Sequence, residues 1–479
     1  MSLTLTDIYL GLGGQHIHPA LTAFPISEFV IDSRLATPGS CFIALPGEHA
    51  DGHDYIADAI AHGAIAIIAQ RAPQDVELKV IRPETEVAPT TLTPPVLFLT
   101  PNSLTALQHL ATYWRSRHTP TVVAITGSVG KTSTKELTAA VLRQRFATLW
   151  TPGNYNNEIG LPLSLLQLRP EHRYAVLEMG FYKEGEINRL CQIAHPHLGV
   201  ITNIGPIHLE RAGSMASICR GKAELILALP PSGHAILNWD DPWVRKMAEI
   251  SPAPVFKYGL GPEADLWADQ IESYGLAGIR FRFHFRRTPT ETEILHVSLP
   301  LLGRHSVHTA LRAAAVGLLS GLSWEEIIRG LKDVDARVRI EIVPGYHQST
   351  ILDDTYNASP PSTIAALNLL QEMEGRRIAI LGDMLELGDE EEKGHRLVGA
   401  RAAETADILI TVGPRSLWIV EGAQALGMAP ETIHPTDTAE EAIAAAKTII
   451  QPGDFILIKG SRAMRMDEIV SQLTAPAQP

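Results

Sequence analysis

A chain of 479 residues is too long for one compact core, and at roughly 150 residues per domain it predicts about three domains. Its composition, with 45% hydrophobic and 19% charged residues, excludes a disordered or collagen-like chain. The formal charge of −13 argues against a general nucleic-acid binder, because such a protein takes its affinity from a basic surface.

The cysteine and hydropathy patterns indicate the compartment. Cys41, Cys191 and Cys219 form no C-x-x-C pair, which argues against a disulfide framework and against a cysteine zinc site. No basic leader begins the chain, and no stretch of about 18 residues is free of charged and polar breaks. We therefore expect a cytoplasmic protein without membrane insertion. The sequence is silent on oligomeric state, and we expect a monomer.

Short apolar runs bounded by Pro, Gly, Ser or Asp predict an α/β domain over residues 1–100. The segment 72–95 is rich in Pro, Thr and Glu, so we expect an irregular excursion there. The predicted strands are 29–31, 41–45, 64–69 and 96–100, with a helix at 55–62.

Residues 101–333 predict a second domain with a mostly parallel, doubly wound sheet. A helix with apolar period at 103–117 leads into a β-branched run that ends at a glycine loop. Alternating apolar and polar residues at 279–301 predict an antiparallel appendage on the same domain. The predicted strands are 121–125, 174–177, 198–202 and 234–237, and the later helices are 305–320 and 324–331.

Residues 334–479 predict a third α/β domain, because apolar runs again alternate with segments of helical period. The predicted strands are 340–343, 349–352, 377–381, 408–412 and 455–459, and the helices include 362–373 and 439–450.

A strand, a glycine-rich loop and a helix follow one another at residues 121–140, which is the context of a phosphate-binding loop. Ile125 stands where the general G-x-x-x-x-G-K-[ST] pattern has its first glycine, and Gly127 is expected to supply the turn instead. The loop N–H groups would bind the phosphates, the lysine would add charge and the hydroxyl would bind Mg²⁺. The predicted nucleotide-binding residues are Gly127, Ser128, Val129, Gly130, Lys131, Thr132 and Ser133.

Two side chains beyond later strands are candidate metal ligands. Glu178 directly follows an apolar run, and His208 lies a few residues past the strand that ends at 202. Carboxyl ends of parallel strands face the crevice in which ligands bind, so both predict metal coordination. Lys222 is predicted to begin a helix, where the helix dipole disfavours a cation.

Several independent motifs, spread over nearly the whole chain, occur in the same order as in a known enzyme family. On these motifs the chain resembles the ATP-dependent Mur ligases, and within that family the type that joins D-alanyl-D-alanine to a UDP-N-acetylmuramoyl-tripeptide. The motifs are Asp32-Ser33-Arg34, Asp51-Gly52-His53, the phosphate loop, residues 153–160, Gly303-Arg304-His305, residues 353–360, residues 381–388 and residues 458–462.

The resemblance implies an α/β enzyme of three domains: a small N-terminal UDP-binding domain, a central P-loop ATPase domain and a C-terminal Rossmann-like domain that binds the incoming dipeptide. ATP would convert a peptide carboxylate into an acyl phosphate, which the dipeptide amine would attack through a tetrahedral intermediate. Thr132 and Glu178 would bind one Mg²⁺, and His208 would serve a second. Lys222 takes the position of the family's carbamylated lysine, an anionic ligand suited to Mg²⁺.

Further roles come from the same resemblance. Arg339 matches the arginine that reaches the γ-phosphate, and Arg337 is the alternative; the Arg-apolar-Glu triplet favours Arg339. Together the implied catalytic residues are Lys131, His208, Lys222 and Arg339. The implied nucleotide contacts beyond the loop are His305, Asp354 and Asn357, with Tyr356 packing beside them. The implied substrate contacts are Ser33 and Arg34 at the UDP group, Asn156 and Asn157, and Lys459, Ser461 and Arg462 at the dipeptide carboxylate.

One departure and two alternatives stay open. Ser306 and His308 stand where the family usually has asparagines near the adenine, so base recognition is undetermined.

One alternative is that the chain is another amide ligase of this fold, such as a folylpolyglutamate synthase or the Mur ligase that adds the third residue of the peptide. The Asp-Asn-Pro-Arg motif of that Mur ligase is absent here. The other alternative, from a different class, is a P-loop module that hydrolyses ATP as a switch. Whether the tripeptide ends in lysine or diaminopimelate is undetermined.

Overall fold

The computed structural model describes residues 3–15, 24–47, 50–84, 93–207, 209–333 and 340–475. Within these residues the chain forms three β-sheets in sequence order, each flanked by helices. This is the predicted α/β architecture of three domains. The predicted boundary near residue 100 falls between the first sheet and the next helix, whereas the boundary at 334 falls outside the described residues.

The first sheet is entirely parallel and has the strand order β1-β2-β3-β5-β4. One prediction here is wrong, because β4 lies inside the segment expected to be irregular. It is a three-residue edge strand whose burial rises from Lys79 to Ile81, too short to show a period. The elements are α1 Leu5–Gly11, β1 Phe29–Val30, β2 Cys41–Ile43, α2 Ile56–Ala61, β3 Ala66–Ala69, β4 Lys79–Ile81 and β5 Val96–Leu99.

The central sheet has nine strands in the order β14-β13-β12-β11-β10-β9-β6-β8-β7. Strands β6 to β12 pair in parallel, and β13 and β14 extend the sheet by antiparallel pairing, as the alternating pattern predicted. The strands are β6 Thr121–Thr126, β7 Thr148–Trp150, β8 Tyr174–Glu178, β9 Leu198–Ile201, β10 His234–Asn238, β11 Val255–Gly259, β12 Leu266–Ser273, β13 Ile279–Thr288 and β14 Glu291–Leu299. The helices are α3 Ser103–Ser116, α4 Lys131–Arg143, α5 Gly160–Leu165, α6 Glu186–Ala194, α7 Leu209–Ala212, α8 Met215–Leu227, α9 Pro242–Lys246, α10 Ser306–Leu319 and α11 Trp324–Leu331.

The third sheet has the order β15-β16-β20-β17-β18-β19 and is parallel except for β15. Strand β19, which the sequence did not predict, contains Pro435 and lies at the sheet edge, where a missing N–H is tolerated. The strands are β15 Glu341–Pro344, β16 Thr350–Asp353, β17 Arg377–Gly382, β18 Ile408–Val412, β19 Ile433–Thr436 and β20 Phe455–Lys459. The helices are α12 Pro360–Gln371, α13 Glu391–Thr405, α14 Leu417–Ala425, α15 Ala439–Ile449 and α16 Asp467–Leu473.

The apolar cores connect these domains unequally. One core cluster runs from the first sheet through α1 and α3 onto a face of the central sheet, so these two domains share buried side chains. The third sheet has its own cluster on each face. Polar contacts also join it to the central domain, including Ser273 Oγ with Glu372 Oε2 at 2.5 Å and Arg211 with Glu386 at 3.3 Å. In the part of the chain that is described, no helix is long and apolar enough to cross a membrane.

Candidate nucleotide and ligase site

Two glycines with positive φ shape the loop between β6 and α4. Gly127 has φ 145°, and a Cβ built on it would lie 1.8 Å from Thr202 Oγ1, so only glycine fits. Gly130 has φ 82° and directly precedes α4. The first N–H groups of a helix have no intrahelical acceptor and are therefore available to an anion. The prediction that Gly127 supplies the turn is confirmed.

Residues that follow strand β9 hold this loop in place. The Oδ1 of Asn203 accepts a hydrogen bond from the Val129 N–H at 2.8 Å, and its carbonyl accepts one from the Ser128 N–H at 2.9 Å. The Oγ of Ser128 donates to the Gly205 carbonyl at 3.0 Å and accepts from the Gly205 N–H at 2.8 Å. These hydrogen bonds therefore fix the conformation of the loop.

A cleft of about 480 Å³ opens at the loop, between the central and C-terminal domains. Residues 128–133, Asn156 and Glu178 line its central side. Residues 356–359, 385–387 and 461–463 line its C-terminal side. The Nζ of Lys131 folds back over the loop and donates to the Gly127 carbonyl at 3.0 Å. The predicted loop residues thus face an opening bounded by two domains.

Glu178, the last residue of β8, presents its carboxylate to this cleft. Its Oε1 accepts a hydrogen bond from Asn156 Nδ2 at 2.8 Å, whereas its buried Oε2 has no hydrogen-bond partner among the described residues. A buried carboxylate oxygen without a donor is costly unless a cation approaches it. Thr132 lines the same cleft, and hydroxyl and carboxylate oxygens are the ligands that Mg²⁺ prefers. These two residues therefore fit a magnesium ion.

Three other predicted residues, His208, Arg337 and Arg339, lie outside the described residues. Across the described ranges, no group of three or more His, Cys, Asp or Glu side chains could hold a metal ion. A cation near Glu178 and Thr132 would also take phosphate oxygens and water as ligands, as Mg²⁺ commonly does.

Lys222 lies inside helix α8 with 3% of its surface exposed, and its Nζ is 4.7 Å from the centre of the Phe181 ring. The prediction that it begins the helix is wrong, because α8 begins at Met215 after the N-cap Ser214. Burial, followed by the charge of Lys131, lowers the pKa of Lys222 well below its ordinary value. The amine is thereby shifted toward the neutral form, which is the form that attacks CO₂.

On the C-terminal side, Lys459 is buried and does not face the cleft. Its Nζ donates to Asp354 Oδ2 at 2.5 Å and to the Asn357 carbonyl at 2.8 Å. In this structure the ammonium is enclosed by these oxygen acceptors, so its contact with a dipeptide carboxylate stays a prediction. Lys459 holds the loop that carries Asp354 and Asn357.

Ser461, Arg462 and Tyr356 do line the cleft. The Oγ of Ser461 accepts a hydrogen bond from the Leu385 N–H at 2.8 Å, which ties two loops of this side together. Arg462 is exposed, and its guanidinium lies 5.8 Å from the centre of the Tyr356 ring. Arg462 is therefore placed to meet an anion in the cleft, whereas Ser461 mainly joins the backbone.

A second cavity of about 260 Å³ begins behind Gly130 and contains the predicted nucleotide residues His305 and Asp354. Burial lowers the pKa of His305 to about 4, with smaller opposing and reinforcing effects from neighbouring charges. Val129, Gly130 and Ser133 line both cavities. A nucleotide with its terminal phosphates at the loop can therefore place its nucleoside in the second cavity.

The departures Ser306 and His308 also line the second cavity. The Oγ of Ser306 donates to the Leu302 carbonyl at 2.6 Å. The Nε2 of His308 lies 2.7 Å from Asp240 Oδ2. Burial alone would raise the pKa of Asp240, but hydrogen bonds from His308 and the Leu260 N–H hold it below its ordinary value. This pair fixes the orientation of His308 at the cavity wall.

The remaining predicted substrate residues lie elsewhere. Ser33 is buried, and Arg34 is exposed on the first domain with its Nε 2.9 Å from Asp32 Oδ1. Neither lines the cleft. The Oδ1 of Asn157 accepts hydrogen bonds from the N–H groups of Ile159 and Gly160, so this side chain supports the start of α5. Asn156, in contrast, reaches the cleft.

Sequence reasoning missed three residues that shape the site. Asn203 follows β9 as Glu178 ends β8, so the same positional signal would have found it. Lys135 lies one helical turn after Lys131 and is fully buried, with its Nζ donating to the Gly153 carbonyl at 2.8 Å. Arg312 lines the second cavity, and nothing in its local sequence marks it.

Three family models match the chain in order: the Mur ligase family catalytic domain over residues 25–111, the Mur ligase middle domain over 125–317 and the glutamate ligase domain of Mur ligases over 338–462. The UDP-N-acetylmuramoyl-tripeptide–D-alanyl-D-alanine ligase of Escherichia coli is 36% identical over 485 residues, covering 99% of this chain and 98% of the relative. The chain belongs to the Mur ligase family.

Solved structures of this family share the fold. A crystal structure of MurF from Acinetobacter baumannii superposes with a TM-score of 0.83 at 31% identity, covering 99% of both chains. The MurF ligase of Thermotoga maritima in complex with ADP gives a TM-score of 0.77 at 28% identity, covering 93% of this chain and 96% of that one. The similarity therefore extends over all three domains of this Mur ligase.

Proposed function

We propose that this Mur ligase joins D-alanyl-D-alanine to a UDP-N-acetylmuramoyl-tripeptide with consumption of ATP, giving the pentapeptide precursor of peptidoglycan, ADP and phosphate. The observation that carries the proposal is the cleft itself: the phosphate loop and the buried Glu178 carboxylate lie on its central side, and an exposed arginine lies on its C-terminal side. The full-length similarity to ligases of this name supports the choice of substrates.

The reaction needs three anionic partners to meet. A carboxylate oxygen of the tripeptide attacks the γ-phosphorus, and ADP leaves. The dipeptide amine then attacks the acyl carbon and loses a proton, and the tetrahedral intermediate releases phosphate. The protein's task is to neutralise charge and align the partners. Lys131 and the N–H groups of the loop hold the phosphates, and Arg462 offers a cation for the dipeptide carboxylate.

Magnesium bound by Thr132 and Glu178 would neutralise the β- and γ-phosphate oxygens. We place a carbamate on Lys222, because its buried amine has a lowered pKa and lies close enough to Lys131 for their charges to interact. His208, which is outside the described residues, is the proposed ligand of a second magnesium ion. Arg339 is the proposed contact of the γ-phosphate, with Arg337 as the alternative.

Substrate positions follow the same scheme. Ser33 and Arg34 are proposed to hold the UDP group, with Arg34 exchanging its exposed partner Asp32 for the diphosphate. We propose Asn156, which lines the cleft, and its neighbour Asn157 as contacts of the peptide. Cytoplasmic location and a monomeric state belong to the same proposal.

The test is phosphate release measured over a matrix of UDP-muramyl peptides and acceptors. We expect turnover to depend strictly on both a UDP-muramyl-tripeptide and D-alanyl-D-alanine, and tripeptides ending in lysine and in diaminopimelate should be compared. Turnover with a single amino acid as acceptor would instead indicate another amide ligase of this fold. Turnover with neither substrate would indicate an ATP-driven switch and contradict the proposal.

A further inference from the structure

Arg312 is a buried cation at the junction of the two cavities. It lies in helix α10 with 5% of its surface exposed and lines the second cavity. A Cβ built on Gly130 would be 3.3 Å from its Nη2, so the guanidinium lies directly behind the residue that precedes α4. Its charge is also close enough to influence the pKa of His305. Arg312 therefore lies where the phosphate and nucleoside parts of the site meet.

The guanidinium has few protein partners for a buried charge. Its Nη2 donates to Thr309 Oγ1 at 2.9 Å, and its Cζ lies 5.9 Å from the centre of the Tyr258 ring. Its Nε is buried without a hydrogen-bond partner, and no described carboxylate forms an ion pair with it. An uncompensated buried charge destabilises a protein, so its presence beside a cavity indicates a site for an anion.

A second buried arginine shows what a purely structural guanidinium looks like in this chain. Arg115 in α3 has 7% of its surface exposed and donates to three backbone carbonyls, those of Ala194, His118 and Pro120, at 3.1, 2.9 and 3.3 Å. Its Nε, Nη1 and Nη2 thus all donate hydrogen bonds within the protein. By contrast, the described residues leave the Nε–H of Arg312 without an acceptor and its charge without a carboxylate, in a side chain that lines a cavity.

We propose that Arg312 is a nucleotide-binding residue that neutralises and hydrogen-bonds the α-phosphate of the bound adenine nucleotide. Val129, Gly130 and Ser133 line both cavities, so the α-phosphate passes between them beside Arg312 when the terminal phosphates occupy the loop. A planar guanidinium suits phosphate oxygens better than a neutral donor does. The inference rests on the proposed function only in that the cleft binds an adenine nucleotide.

The test compares Arg312→Met with Arg115→Met, two buried arginines replaced by the same apolar side chain. We measure the Kd of ADP by displacement of a fluorescent ADP analogue, and the melting temperature of the full chain without ligand. Arg312→Met should raise the Kd at least about tenfold and leave the melting temperature unchanged or higher, because a buried uncompensated charge is removed. Arg115→Met should lower the melting temperature and leave the Kd unchanged.

Three further measurements make the assignment specific. Arg312→Lys should recover part of the lost ADP affinity, because it keeps the charge without the Nε–H. AMP, but not adenosine, should lose affinity in Arg312→Met together with ADP. Equal weakening of adenosine would overturn the assignment to the α-phosphate, and an unchanged Kd of ADP with a lowered melting temperature would make Arg312 structural and overturn the proposal. If the native chain fails to bind ADP, the proposed function itself is contradicted.

Discussion

The two sides of the cleft treat their buried polar groups differently. On the central side, Glu178 Oε2 and Arg312 Nε lack hydrogen-bond partners among the described residues, and the Lys222 Nζ lies over an aromatic ring. On the C-terminal side, Lys459 is enclosed by oxygen acceptors, and Asp383 Oδ1 accepts a hydrogen bond from a backbone N–H at 2.7 Å. The buried polar groups named on the central side are available to ligands, whereas those named on the C-terminal side orient its loops and leave the exposed Arg462 to meet a ligand.

This difference has a measurable consequence. Removing a charge that the fold does not compensate should reduce activity and spare stability, whereas removing one from a satisfied pair should reduce stability. Substitutions on the two sides should therefore separate activity from stability.

The largest effect is expected for Lys222→Ala. If Lys222 carries a carbamate that binds Mg²⁺, the substitution should lower kcat roughly 10³-fold, with partial recovery when acetate supplies a small carboxylate. Phosphate release with and without acetate measures this, and Lys246→Ala, at an exposed position in the same domain, is the control. Activity equal to that of the native chain would contradict the carbamate.

Glu178→Gln should follow closely, lowering kcat between about 10² and 10³-fold, because the amide keeps the shape but loses the charge that attracts Mg²⁺. The loss should shrink at higher Mg²⁺ concentration, and the unfolding midpoint in urea should not fall. Glu184→Gln removes an exposed carboxylate 2.7 Å from Arg220 and should leave activity unchanged. A lower urea midpoint without loss of activity would show that Glu178 has a structural role and does not bind Mg²⁺.

Lys459→Met tests the C-terminal side of the cleft, where the buried charges are paired with protein groups. The substitution leaves Asp354 buried without its cation, so the free energy of unfolding should fall by about 3 kcal/mol. Urea denaturation measures this, with Lys447→Met at an exposed position of helix α15 as the matched control, expected within about 0.5 kcal/mol of the native chain. A variant with unchanged stability and a raised KM for the dipeptide would instead show that Lys459 contacts the substrate.

The smallest effect concerns His305, whose pKa is lowered to about 4 from an ordinary 6.5 by burial. Between these values the unfolded chain binds a proton that the folded chain does not, so native stability should fall as pH decreases from 6.5 to 4. His305→Gln should remove this contribution, which we expect to be about 1 kcal/mol at most, because His305 lines a cavity and part of its surface is exposed there despite the burial of its ring nitrogens' surroundings. Urea unfolding at pH 7 and pH 5 tests it; an equal pH dependence in both chains would contradict it.

The sequence by itself determined the order of the three α/β domains, the phosphate loop, the turn at Gly127 and the exposure of Glu178 to the cleft. These features depend on local patterns: apolar period, a glycine where φ must be positive, and the end of a buried strand. The short edge strand at Lys79–Ile81 escaped this reasoning because three residues show no period.

Only the tertiary structure decided which polar groups are already satisfied. Lys459 and Arg462 are three residues apart and were predicted to serve the same carboxylate, yet one is enclosed by Asp354 and the other faces the cleft. Arg115 and Arg312 likewise lie in apolar helical surroundings, but only packing with distant segments gives one its acceptors and leaves the other without them. Hydrogen-bond satisfaction depends on residues far apart in the chain, which a local pattern does not contain.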